Sequence, residues 1–407
     1  MRRLIAVCAL GLACASPGMP PGGPPDVAAP QIVRIVPDSG KTGVTPKEVV
    51  FQFDEVVSER PPAATTLSDL FLISPRDGQP NVHWHRDAIS VRPRRGWRPN
   101  TAYTITMLRG IADIRGNVRN EGVTTFFSTG ANIPRTRITG YVFDWVAGTL
   151  AAGAVVEAMV PPDTVNSYIA ITDSSGVFAL ERIPAGRYTL RAFLDRNRNQ
   201  ALDPGEPWDS AGVTLVDSLK RELLVFMHDT VPPRIRDVSL SDSVTISVAF
   251  DRPVDPAQTL GVTNFRVLAP DSSAIAIVRV APPARDTGTR VPARDTTAQR
   301  PTTGRAPSQA AGRARAVARP DSTPKPVMSR PIPTSTVNLT LQRPLAPRTT
   351  YRVHALGIRG LLGVSGDSER SLITPAPPVK PPPASTVKPP PASAPPLTPA
   401  SPPPRDR

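Results

Sequence analysis

An all-β fold of tandem antiparallel β-sandwiches, interspersed with disordered Pro-rich segments, is what this sequence of 407 residues predicts. Three observations carry that expectation. From Gln31 onward, short runs of alternating apolar and polar residues recur at roughly ten-residue spacing, with turn residues between them and no helical period. The 52 prolines gather in particular stretches, which cannot be helix interior or central strand because proline lacks the amide donor. The 2 cysteines, Cys8 and Cys14, both lie within the first 14 residues, so the domains beyond contain no disulfide and rest on hydrophobic cores. The length suits several domains rather than one core.

The N-terminus reads as an export signal. Arg2 and Arg3 precede the apolar run Leu4 to Ala13, which at about ten residues is half of what spans a bilayer. Its end, Gly11-Leu12-Ala13-Cys14, resembles the lipobox of bacterial lipoproteins. The resemblance implies a signal peptide over 1–14, cleavage before Cys14, and lipid attached to Cys14 as a membrane anchor. Ala15 after the cysteine implies the outer membrane in the Gram-negative sorting pattern. The alternative is ordinary secretion, with cleavage near Ala15. Residues 15–30, mostly Pro, Gly and Ala, are expected to form a flexible tether.

The first module is expected over 31–131. Val49 to Glu55 alternates as a strand, as do Leu70 to Ile73, Val82 to His85, Ile89 to Val91, Tyr103 to Met107 and Thr124 to Ser128. The order Pro37-Asp38-Ser39-Gly40, Phe51-Gln52-Phe53-Asp54, Pro99-Asn100-Thr101-Ala102-Tyr103, Asp113-Ile114-Arg115-Gly116-Asn117 and Phe127-Ser128-Thr129-Gly130 resembles the bacterial Ig-like domain of S-layer proteins. That resemblance implies a seven-stranded sandwich of structural, secreted proteins without catalytic residues.

The second module is expected over 136–228. Ile138 to Val142, Ala154 to Ala158, Thr172 to Phe178 and Ile183 to Leu190 are its strands and turns, with Asp173 to Gly176 forming an Asx-type hairpin. Together they resemble the carboxypeptidase-regulatory, transthyretin-like sandwich, which implies a non-catalytic accessory module. The third, over 231–374, echoes the first: Val244 to Asp251 parallels Val49 to Glu55, and Leu345 to Val353 parallels the segment ending at Tyr103. It reads as a diverged second Ig-like copy. Residues 282–332, rich in Arg, Thr, Pro and Ala, interrupt it as an expected disordered loop. Residues 375–407, with Val379 to Ser385 repeated at Val387 to Ser393, are expected to be an extended Pro-rich tail.

The net charge of +14 follows the same division. Between Arg285 and Arg330 ten basic residues face three acidic ones, so about half of the excess sits in the loop. That loop has no aromatic residue on which a base could stack, so no specific nucleic-acid partner is expected.

The strongest candidate site runs from Asp195 to Glu206. Calcium takes six to eight oxygen ligands, and a twelve-residue loop supplies them at positions 1, 3, 5, 7, 9 and 12. These are Asp195, Asn197, Asn199, the Ala201 carbonyl, Asp203 and Glu206. Gln200 stands where such loops carry glycine, and Arg196 and Arg198 bring positive charge. The alternative is a turn held by Asx hydrogen bonds with no metal. His83 and His85 share a strand face, but no third ligand is evident beside them.

No nucleophilic triad, paired acid/base carboxylates or phosphate-cradling loop is found, and no enzyme or cofactor beyond calcium is expected. The expected role is a structural spacer or interaction scaffold of the cell envelope. The alternative is a module gripping carbohydrate, peptidoglycan or a protein partner through 282–332 or 195–206. Oligomeric state is not legible.

Overall fold

A computed structural model describes residues 25–163, 166–282 and 326–376. It is all-β: the described residues contain two short 3₁₀ turns and no α-helix. The lipobox, the residues 283–325 of the interruption and the tail from 377 lie outside the described residues.

The first module comprises β1 (Ile32–Val36), β2 (Val49–Phe53), β3 (Phe71–Ser74), β4 (Asn81–Trp84), β5 (Ala88–Arg92), β6 (Ala102–Met107) and β7 (Val123–Ser128). They form two sheets, ordered β1-β2-β5-β4 and β3-β6-β7. Strand alternation turns Val49, Phe51 and Phe53 of β2 and Tyr103, Ile105 and Met107 of β6 into one core between the sheets. Trp97 meets Tyr103 and Phe127 edge-on at one end of that core. Residues 26–30, expected as part of the tether, instead join this module. Pro30 is buried, the Asp26 carbonyl accepts from Asn117 Nδ2, and the Pro30 carbonyl accepts from Arg119.

The second module comprises β8 (Arg137–Asp144), β9 (Thr149–Leu150), β10 (Val155–Met159), β11 (Ser167–Ile171), β12 (Val177–Glu181), β13 (Gly186–Phe193), β14 (Trp208–Leu215) and β15 (Ser218–Val225). Its sheets are β11-β10-β13-β14 and β12-β8-β15, the last with β15 parallel to β8 and the short β9 paired antiparallel with the end of β8. The expected Asx hairpin is present: Asp173 Oδ1 accepts from the amides of Ser175 and Val177.

The third module comprises β16 (Ile235–Leu240), β17 (Thr245–Val254), β18 (Phe265–Leu268), β19 (Ala274–Ile275), β20 (Ile277–Ala281), β21 (Thr334–Leu341), β22 (Thr350–Arg359) and β23 (Ser365–Ile373). Its sheets, β16-β17-β21-β20 and β19-β18-β22-β23, repeat the order of the first module with one short strand added. The duplication extends to single side chains. Asp54 and Asp251 each accept from the amide of the residue just before the opening strand, and Tyr103 and Tyr351 hydroxyls each accept from the amide five residues upstream. In this frame the long interruption replaces the short turn between β4 and β5. Its last residues are not a loose loop: Met328 packs among Phe143, Trp145 and Leu224 of the second module. There Trp145 Nε1 donates to the Pro331 carbonyl at 2.9 Å, and Ser329 bonds Glu222.

Candidate functional site

The candidate loop joins β13 to β14 and is folded around its own amides. Asp195 accepts from the backbone amides of Asn199 (3.2 Å) and Gln200 (2.7 Å). The side-chain Oδ1 atoms of Asn197 and Asn199 accept from the backbone amides of Asn199 (3.1 Å) and Ala201 (2.8 Å). Glu206, almost fully buried, closes the loop by accepting from Arg196 (2.8 Å) and Asp203 (3.0 Å) amides. Arg198 and Gln200 take left-handed backbone at φ 62° and 59°. Gln200 thus provides the turn that glycine usually makes at this position of a calcium loop, at the cost of strain.

The structure brings Asp195, Asn197, Asn199, Ala201, Asp203 and Glu206 onto one loop, but not around one point. The side-chain nitrogens of both Asn197 and Asn199, not their oxygens, meet Asp203 Oδ2, each at 2.7 Å. Among the described residues, the one group of three acidic or imidazole side chains with ligand atoms within 4.8 Å is Asp26, Glu55 and Asp113 in the first module. Burial, then the charges of Asp113, Asp26 and Asp54, push the Glu55 carboxyl above its ordinary value. Burial would raise Asp113 too. Hydrogen bonds from Asn117, Arg115 and Gly116 outweigh that and hold it below the usual carboxylate range. His83 and His85 do not converge: His85 bonds Ser90 Oγ at 3.0 Å, while His83 is exposed.

What the loop does touch is the first module. Gln200, buried, donates through Nε2 to the Asp69 carbonyl (3.0 Å), and Arg198 reaches the Ala63 carbonyl (3.3 Å). In return Arg76 of the first module donates to the Gln200 carbonyl at 2.5 Å. The same guanidinium pairs with Glu157, which is 1% exposed at the centre of β10 and also takes Arg191 from β13 at 2.5 Å. An ion buried alone would cost several kcal/mol, and the two guanidiniums on this carboxylate offset part of that cost. Arg76 and Ser167 form a backbone bridge, and Ser74 Oγ accepts from the Ile169 amide at 3.1 Å. Beside them Leu72 shares a small core with Val155, Ile169 and Phe193.

This joint was not anticipated from the sequence, although a signal was present. Glu157 interrupts an otherwise apolar strand, and a carboxylate at a fully buried position demands cationic partners. The partners themselves are distant in sequence and have no local signature.

Two antiparallel sheets packed face to face define the class of the first module as an Ig-like sandwich. Residues 26–129 match the bacterial Ig-like domain family. No curated protein matches the chain. Among solved structures, it is similar to an L,D-transpeptidase from Mycobacterium smegmatis at 15% identity, over 48% of this chain and 76% of that one, with TM-score 0.19. The major pilin subunit BcpA of Bacillus cereus aligns at 10% identity over 49% and 71%, TM-score 0.18. The surface layer protein SbsC, domains 1–6, aligns at 10% identity over 86% and 54%, TM-score 0.19.

Proposed function

We propose that this chain is a non-catalytic component of the cell envelope, a stiff spacer or scaffold of three sandwiches held to a membrane through lipid on Cys14. The observation that supports stiffness is the joint between the first two modules, where Glu157, Arg76, Arg191 and the core around Leu72 fasten one sandwich to the next. A spacer needs such joints, because flexible linkers let domains reorient freely. The match of residues 26–129 to bacterial Ig-like domains supports an envelope setting.

The anchor rests on the lipobox-like Gly11-Leu12-Ala13-Cys14. Labelling of cells with radioactive palmitate tests it. Label on the wild type and none on Cys14→Ser is expected. An unlabelled wild type contradicts the anchor and favours secretion.

Calcium at Asp195, Asn197, Asn199, the Ala201 carbonyl, Asp203 and Glu206 is the remaining part of the proposal. Its support is an oxygen-rich set on one preformed loop; binding has to replace the amide nitrogens now facing Asp203 with oxygens. Isothermal titration of the full chain with calcium is expected to give heat that Asp203→Ala removes. No heat at millimolar calcium contradicts it. The rival in which this loop grips an external partner is less well supported, since Gln200 and Arg198 are already engaged by the first module.

A further inference from the structure

Between the first two modules lies a cleft of about 390 Å³. Its floor is the outer face of β3-β6-β7, where Leu72 and Thr106 point, and its wall is formed by β11 and β12, with Ile171, Ala179 and Leu180. Arg182 stands at its margin, with its guanidinium 3.9 Å from the centre of the Phe126 ring. The size is within the range of ligand sites.

The wall has a chemical polarity that selects its occupant. β12 is an edge strand, paired with β8 on one side and with no strand of the described residues on the other. Val177 turns both its amide and its carbonyl away from β8, toward Asp173. Backbone groups alternate sides along an antiparallel strand, so Ala179 and Glu181 present N–H and C=O on that same unpaired side. The ladder from Val177↔Tyr141 to Glu181↔Arg137 runs without a bulge, and Ala179 at its centre is exposed and small. Bulges, prolines and central charges are the usual protections of an edge, and β12 lacks them up to Glu181.

We propose that this cleft binds an extended segment of a partner polypeptide, which adds to β12 as an antiparallel strand. Alternate side chains of the segment face a floor on which Leu72 and Phe126 stand among Thr104, Thr106 and Thr124. A regular row of donors and acceptors matches another strand's backbone, whereas a compact small molecule or a sugar satisfies only one or two of them. The site lies apart from both 195–206 and 282–332.

The test uses the full chain and a fluorescein-labelled nonapeptide of alternating valine and threonine with lysine at each end. Saturable anisotropy is expected with the wild type and none with the same peptide N-methylated at alternate residues, which removes its donors. Ala179→Pro deletes one edge donor without touching the β12–β8 ladder, and is expected to weaken binding at least about tenfold. Should that variant fail to fold, hydrogen exchange on the wild type decides: peptide is expected to slow exchange at Ala179 and Glu181 about tenfold. No saturable binding, equal binding by a folded Ala179→Pro, or unchanged exchange at both amides overturns the proposal.

Discussion

Three side chains show how single residues set the stability of the modules and of the joint between them. Glu157 is buried between Arg76 and Arg191, so Glu157→Gln leaves two guanidiniums without their counter-ion. A loss of about 3–5 kcal/mol is expected, read as a lower denaturation midpoint, because removing one partner strands the other charges. Asp113 is held below its ordinary value by its amide donors. Its contribution is therefore present above about pH 3.9, the unfolded value, and is lost as pH falls through the lower folded value. Thermal melts should show the wild type losing more stability below about pH 4 than Asp113→Asn does. His228 is shifted the other way in charge: burial, offset in part by the Phe226 carbonyl and Asp209, lowers its proton affinity. It stacks on Trp208 with ring centres 3.8 Å apart. The unfolded chain takes the proton first, so stability should fall as pH drops below about 6.5, and His228→Phe should remove that dependence.

At the scale of elements, the end of the long interruption acts as a strap. Gly148 sits at φ +70°, and a β-carbon there would lie 2.5 Å from Ile332 Cδ1. Gly148→Ala should therefore push the Ile332 side chain aside and strain the backbone at 148, lowering the thermal midpoint; an unchanged midpoint would contradict that packing. Which elements were legible follows from the range of the forces that make them. The alternation of Val49 to Glu55 and the Asp173 hairpin are local, and the strands stand where those patterns lie. The echo of Val49 to Glu55 in Val244 to Asp251 foretold a second copy, and both segments occupy the second strand of matching sheets. Composition misjudged two ends. Pro30 and Pro331 looked like tether and loop, yet a proline carbonyl accepts hydrogen bonds as well as any other, and Arg119 and Trp145 use them. The candidate loop was recognised by spacing, but its contact with Asp69 and Ala63 depends on where the first module ends up, which spacing cannot carry.

For the whole molecule, sandwiches in series make a useful spacer only if their joints resist bending. In the role proposed above, the apolar cluster around Leu72 and the buried charged triad beside it couple the first two sandwiches into one cooperative unit. Leu72→Ala should loosen that coupling at a cost of about 2–5 kcal/mol, seen as two unfolding transitions replacing one in calorimetry. The most direct measurement is the distance between spin labels at Glu121 and Val216, both exposed and on different modules, in a chain with Cys8 and Cys14 changed to serine. A single narrow distribution that broadens in Arg76→Ala is expected. A wild-type distribution as broad as that of Arg76→Ala would contradict the rigid joint.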